Sequence, residues 1–296
     1  MPDSKRILIV RPGALGDLVL TLPAIMRIRS ENPSARITIA GNVEFLPLIR
    51  DTVNTITSFE SPVLRPLFLA PDRSFRDSAS LAYVWLRNPE DVFVQNLRQS
   101  GLEVKFAPSF QTMESVHQSD FLYGIHGDSL PAPEPRLALG QLSRNRFVEK
   151  AGLPKRPRIA VHAGAGSPRK RWPIERFMQL ARVLGSENDI YWIVGPADTA
   201  QESLGHVVHT DIVKLAYFLE TMDLFIGNDS GVTHLARALD VTTVALFGPT
   251  NPEVWSPRGA HVLHARGPDD RPDSQVKDVL DLVSGLLSMK AHDTHC

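Results

Sequence analysis

The chain has 296 residues, 43% of them hydrophobic and 22% charged, with 32 Lys and Arg against 33 Asp and Glu. These totals describe a soluble globular protein with room for two domains of ordinary size, and they exclude a global charge that would attract nucleic acid. Cys296, the single cysteine, excludes internal disulfides and Cys-based metal sites and suits a reducing compartment.

The residues after Met1 lead straight into a short apolar run, too short for a signal peptide, and no stretch approaches about 18 uninterrupted apolar residues. The expectation is a cytoplasmic protein, with room left for a peripheral contact with the cytoplasmic face of the inner membrane. The first predicted strand is Ile7–Val10, in "ILIVRPGALGDLVLTLP". It leaves through Pro12, Gly13 and Gly16 and sets Asp17 at the mouth of an apolar segment, where a phosphate loop would carry a lysine. A helical pattern follows at Ala24–Ser30, then a strand at Ile37–Ala40 ending in Gly41. Ser61–Phe110 has many prolines and no clear period.

The pattern then repeats. A strand at Ile159–His162 enters a second glycine loop (Gly164, Gly166), followed by a helix at Ile174–Leu184 and a strand at Tyr191–Val194 ending in Gly195. A helix at Ile212–Leu219, a strand at Leu224–Ile226, a helix at Val232–Leu239 and a strand at Thr243–Phe247 come next, with a closing amphipathic helix at about 274–288. Strands rich in Ile and Val, bounded by Gly, Pro or Asn, read as buried on both faces and hence as a parallel sheet. Alternation with helices makes the fold class α/β and doubly wound. Two copies of strand, glycine loop, helix and strand give two Rossmann-like domains, 1–150 and 151–296, with the seam in "EKAGLPKRPR", Glu149 to Arg158.

Several nucleotide and hydrolase signatures are missing. There is no G-x-x-x-x-G-K-S/T, and Arg169 stands where the third glycine of a dinucleotide fingerprint belongs. Gly41 and Gly195 end the second strand of each half in place of an acid for a ribose hydroxyl, which disfavours a nicotinamide dehydrogenase. H-E-x-x-H, G-x-S-x-G and a D-x-D pair after a strand are absent, and the acids of Pro268–Asp273 read as solvated charges in a Pro-rich loop.

"DLFIGNDSGVTHLARAL", Asp223 to Leu239, carries more information. A strand stops at Gly227-Asn228-Asp229-Ser230-Gly231 and a helix begins, its first backbone N–H groups unpartnered. Gly231 permits close approach, and Ser230 or Thr233 adds a hydroxyl, so the turn can seat a diphosphate. A plain N-cap at Asp229 or Ser230 explains the same residues. "HAGAGSPRKRWP", His162 to Pro173, places Arg169, Lys170 and Arg171 in one loop, of which only one can face an anion. Arg169 and Arg171 read as solvated cations, Trp172 as a packed plug before a helix opened by Pro173, and His162 and His234 as packed histidines.

The motifs "ILIVRPGALGDLVLTLPAI", "HAGAGSPRKRWP" and "IGNDSGVTHLARALDVTTVALFGPTNP" together resemble glycosyltransferase family 9, the lipopolysaccharide ADP-heptose heptosyltransferase family. The resemblance spans most of the chain and is loose from about Phe59 to Phe110. It implies a GT-B fold, two Rossmann-like domains with parallel sheets facing across a cleft. The N-terminal domain would bind a lipopolysaccharide-core or other cell-surface glycan acceptor, and the C-terminal one a nucleotide-sugar donor, ADP-heptose in the usual case. Carried over by motif, the catalytic residues fall on Asp17 and Lys170. The donor-binding residues fall on Ser167, Lys170, Asp229, Ser230, Gly231, Val232, Thr233 and His234, and the acceptor-binding ones on Arg11, Gly13, Ala14 and Gly16. The stretch Gly195–His209 is shorter than the family's usual one, and Asp198 is the expected ribose contact. The implied enzyme needs no cofactor, since the donor is a substrate, and no metal.

On this reading Asp17 ends the first loop because the loop receives a hydroxyl to be deprotonated, with inversion at the donor sugar. Without the resemblance, Asp17 reads equally well as a helix N-cap. Two other classes stay open: a nucleotide-sugar epimerase, for which no clear pair of acids is found, and a non-catalytic sugar-nucleotide binding protein, against which the joint presence of Asp17, Lys170 and Asp229 argues.

Overall fold

Ile7 to Val10 are almost wholly buried, and Arg6–Arg11 forms β1 at the centre of a parallel sheet. In this computed structural model the described residues are 5–111, 115–127, 131–139, 156–195, 205–265, 267 and 272–293, with side chains described to 289. The chain divides into two units, Met1–Leu137 and Ala138–Cys296. The expected seam at residue 150 lies among residues 140–155, outside the described ones.

In the first unit, β1 is followed by α1 (Leu15–Glu31), β2 (Arg36–Gly41), β3 (Thr55–Ser58), β4 (Leu81–Leu86), α2 (Val92–Gln99), β5 (Glu103–Pro108) and α3 (Gln118–Tyr123). The strand order is β3-β2-β1-β4-β5, all parallel. The chain winds outward from β1 on one side and then crosses to the other. The carboxyl end of β1 therefore lies at the point where the winding reverses, the usual ligand crevice of an open α/β sheet. Gly41 closes β2 because a Cβ there would strike the Arg11 backbone carbonyl.

Two expectations change here. Helix α1 begins nine residues before the predicted Ala24, with Pro23 inside it; the proline leaves the Val19 carbonyl without its usual donor, a cost the buried apolar face of α1 offsets. The stretch Ser61–Phe110, without legible period, contains β4 and β5. All six residues of β4 (LAYVWL) are buried, so the strand shows no alternation to read.

In the second unit, β6 (Arg158–His162), α4 (Ile174–Leu184), β7 (Asp189–Ile193), β8 (His206–Val208), α5 (Ile212–Leu219), β9 (Leu224–Asn228), α6 (Gly231–Ala238), β10 (Thr242–Phe247), α7 (Pro252–Trp255), β11 (His261–His264) and α8 (Val276–Asp293) follow in order. The sheet runs β11-β10-β9-β6-β7-β8, again parallel. The winding reverses between β6 and β9, which pair directly, His162 beside Gly227. Val279 and Val283 of α8 are fully buried against Trp172, Phe177 and Leu180, so the closing helix completes this unit's core. Among the described residues no helix is long and apolar enough to cross a membrane.

Candidate functional site

The loop after β1 is built around a buried cation. The Arg11 side chain is 1% exposed; its Nε donates to Thr21 Oγ1 at 2.8 Å, and one terminal nitrogen lies 3.2 Å from the Asp17 carbonyl and 3.6 Å from Asp17 Oδ1. Thr21 Oγ1 in turn donates to the Asp17 carbonyl at 2.7 Å. Burial draws the Arg11 pKa down to about 10, with Asp17 pulling the other way, so the guanidinium is charged at neutral pH.

Asp17 sits at the third position of α1, and its Oδ2 accepts from the Ala14 N–H at 2.9 Å. This is half of a capping box, since Ala14 has no side-chain acceptor to offer in return. The N-cap itself is Ala14, so the acid caps from within the helix. The carboxylate is 18% exposed, held by Ala14 on one oxygen and faced by Arg11 on the other. Gly13 has φ +138°, and a Cβ there would stand 2.6 Å from Asp17 Oδ2. Gly13 and Ala14 are exposed and Gly16 half-buried, which leaves backbone beside the acid open for approach. Arg11, expected at the acceptor, is instead directed at Asp17 and Thr21; its place is behind the acid.

In the second unit three loops meet at the carboxyl edge. Because β6 pairs with β9, and β9 with β10, the turns that follow them are neighbours. After β6, Ser167 caps a short 3₁₀ turn, Pro168–Lys170. Lys170 Nζ lies 2.8 Å from Asp229 Oδ2, and Thr250 Oγ1 donates to the same oxygen at 2.7 Å. The Asp229 side chain is 8% exposed and that of Lys170 33%. Arg169 is exposed, as expected. Arg171 is not a solvated cation: it is half-buried, one terminal nitrogen donating to the Ala165 carbonyl at 3.3 Å.

Asn228, fully buried, ties two of these loops together. Its Oδ1 accepts from the Trp172 N–H at 2.9 Å and its Nδ2 donates to the Ala163 carbonyl at 2.8 Å. Trp172 is buried as a plug, its Nε1 donating to the Ser274 carbonyl at 2.9 Å and its ring edge-on to Phe177. Asn228 and Thr250 were not marked as site residues by the sequence reading. Asn228 lies in the quoted glycine turn and Thr250 in the quoted "FGPTNP", but only the strand order shows that these turns touch.

Ser230 is the N-cap of α6, its hydroxyl accepting from the Thr233 N–H, while the His234 N–H bonds the Ser230 carbonyl at 3.2 Å. Thr233 Oγ1 donates to the Asn228 carbonyl. Of the expected seat from Asp229 to His234, the N–H groups of Ser230, Gly231 and Val232 have no acceptor among the described residues, and the last two belong to the helix itself. They stand at the first two positions of the helix, where the dipole favours an anion. The histidines are packed: His234 is buried, and so is His162, its Nδ1 3.0 Å from the Ile193 carbonyl. Asp198 lies outside the described residues. Among those described, no group of three or more His, Cys, Asp or Glu could hold a metal ion.

The sequence model described as glycosyltransferase family 9 (heptosyltransferase) matches residues 115–281, more than half of the chain and inclusive of Lys170 and Asp229. Lipooligosaccharide heptosyltransferase 2 of Haemophilus influenzae is 22% identical over 295 residues, covering 85% of each chain. Among solved structures, E. coli ADP-heptose LPS heptosyltransferase II superposes with a TM-score of 0.76 at 18% identity, over 97% of this chain and 99% of that one. The E. coli heptosyltransferase WaaC with ADP gives 0.65 at 16% identity, over 95% and 99%. These likenesses show the fold.

Proposed function

Because this chain belongs to glycosyltransferase family 9, has that family's GT-B fold and is a glycosyltransferase, we propose that it moves a heptose or related sugar from an ADP-activated donor to a lipopolysaccharide-core or other cell-surface glycan acceptor, with inversion. The observation that carries this reading is the Lys170–Asp229–Thr250 cluster beside the two unpartnered amides of α6. An ammonium and helix-terminal N–H groups at one sheet edge are what a departing nucleoside diphosphate needs. The names of the similar proteins, heptosyltransferases and one bound to ADP, support the donor class.

In the proposed reaction the second unit holds the donor. Lys170 and the Gly231 and Val232 amides receive the diphosphate and stabilise the negative charge that grows on its leaving oxygen. Asp17 in the first unit takes the proton from the acceptor hydroxyl as that oxygen forms its bond to the anomeric carbon, and the carbon–oxygen bond to the diphosphate breaks. Arg11, charged and buried behind the acid, keeps Asp17 aimed. A base of this kind contributes about 10²–10⁴-fold. The chemistry asks for no cofactor or metal, and we place it in the cytoplasm, where activated nucleotide donors are made and the acceptor meets the inner face of the membrane.

The decisive test is a screen of donors and acceptors with mass detection of product. Transfer of a heptose from ADP-heptose to a core oligosaccharide supports the reading. A sugar changed without any acceptor would replace it with an epimerase, and binding without turnover would replace it with a non-catalytic sugar-nucleotide binding protein.

A further inference from the structure

Asp229 is an acid placed where an anionic diphosphate is proposed to bind, and its near-complete burial requires compensation. Two donors meet on its Oδ2: the Lys170 ammonium at 2.8 Å and the Thr250 hydroxyl at 2.7 Å. Lys170 has three N–H donors and one flexible stem, so it can serve a phosphate only if the carboxylate behind it stays in place. From the β6 loop the carboxylate is met by Lys170 itself, and its second donor comes from the loop after β10.

We propose that Thr250 is a positioning residue for donor binding: its hydroxyl anchors Asp229, and Asp229 in turn aims Lys170 at the diphosphate. The inference rests on the donor reading of the second unit.

Thr250 is suited to the task because its own loop is held on both sides. Ahead of it, His264 Nε2 lies 3.1 Å from the Gly248 carbonyl, and the Ala265 N–H bonds the Phe247 carbonyl at 3.2 Å. Behind it, Asn251 caps α7, its Oδ1 accepting from the Glu253 N–H at 3.0 Å, and Pro252 opens that helix. The hydroxyl is presented from a fixed frame rather than a loose turn. Asp229 is also fixed through its backbone, its N–H bonding the Leu246 carbonyl at 3.2 Å, so the side-chain torsions are what Thr250 has left to set. When Lys170 turns protons toward a phosphate, the Thr250 hydroxyl keeps the buried carboxylate from following the lysine or being pushed aside by the incoming charge.

The test is calorimetric titration with ADP and, separately, with inorganic pyrophosphate. The proteins are the native chain, Thr250→Ser, Thr250→Val, Thr250→Ala, Lys170→Ala and the Lys170→Ala/Thr250→Val double variant, each checked for a native melting transition. Valine keeps the shape of threonine and serine keeps the hydroxyl. Thr250→Ser should bind within about twofold of the native chain, while Thr250→Val and Thr250→Ala should bind about tenfold more weakly, the size of one hydrogen bond to a charged group. In the Lys170→Ala background Thr250→Val should cost nothing further, because both changes remove one coupled device. Native affinity in both Thr250→Val and Thr250→Ala overturns the proposal and leaves the donor reading intact. So does serine behaving like valine, or additive losses in the double variant. If the native chain binds neither probe, the donor reading fails and the proposal falls with it.

Discussion

The Arg11 guanidinium and the Asp17 carboxylate face each other at 3.6 Å across the first turn of α1, the cation buried and the acid partly open to solvent. Thr21 joins them by accepting from Arg11 Nε while donating to the Asp17 carbonyl. The acid that would act on an acceptor is thus supported from inside the unit, by a cation that solvent hardly reaches.

Asp17→Asn should lower turnover by at least about two orders of magnitude with donor affinity nearly unchanged, because a base on the acceptor side is removed while the donor site is untouched. The amide oxygen can still accept from the Ala14 N–H, but the buried Arg11 loses its counter-charge, so a lower melting temperature is expected alongside the lost rate. Full turnover in this variant would remove Asp17 from the mechanism.

Arg11→Met should cost about tenfold in turnover, since the carboxylate keeps its Ala14 bond but loses the charge that aims it. Stability should change little or rise, because a buried charge is replaced by an apolar chain of similar length. Arg11→Lys should not restore the rate, as a single ammonium cannot reproduce the fork that spans Thr21 and Asp17. Steady-state rates with melting curves for both variants decide this, and a native rate in Arg11→Met would refute the positioning role.

Gly13→Ala combines a backbone conformation that side chains rarely adopt with a Cβ 2.6 Å from Asp17 Oδ2. A stability loss of about 1–3 kcal/mol is expected, together with a fall in turnover as the carboxylate is displaced. Denaturant unfolding measures the first and initial rates the second. A variant as stable and as active as the native chain would mean that this loop relaxes freely.

Lys170→Ala should weaken ADP binding tenfold or more, from a charge-assisted contact of about 1.5–3 kcal/mol, and should reduce turnover by a larger factor because leaving-group charge peaks in the transition state. Arg169→Ala, at an exposed position, should be mild. Arg171→Ala should fall between them, since that side chain holds the Ala165 carbonyl of the same loop. Should Arg171→Ala prove the worst of the three, a different cation serves the diphosphate.

Transfer should persist in EDTA at native rate. Lys170 and the amides of α6 supply the positive field proposed for the diphosphate, and no described cluster of acids or histidines stands ready to supply a cation in their place. A rate abolished by EDTA and restored by Mg²⁺ or Mn²⁺ would require a metal in the mechanism.

Much of the second unit was legible because its signals are local. Ile174–Leu184 and Ile212–Leu219 form helices with the predicted bounds, and Trp172 is the buried plug expected before α4. The edge strands β8 and β11 escaped notice because each is a few half-exposed residues containing histidine, with pairing on one side only. Arg11 stands among the acceptor residues through the family motif alone, and only the packing of α1 over it shows that its side chain turns inward to Thr21 and Asp17.

The residues by themselves determined the two parallel α/β halves, the glycine turns at the strand ends and the types of group those turns carry. Periodicity and turn chemistry act over a few neighbours, so a sequence displays them directly. Which turns share a site was decided by strand order. The pairing of β6 with β9 and of β9 with β10 brings Lys170, Asp229 and Thr250 onto one oxygen, although 80 positions separate the first from the last. Local patterns carry no information about sheet neighbours. That choice is made by the cooperative burial of whole strands, and it is where this candidate site is assembled.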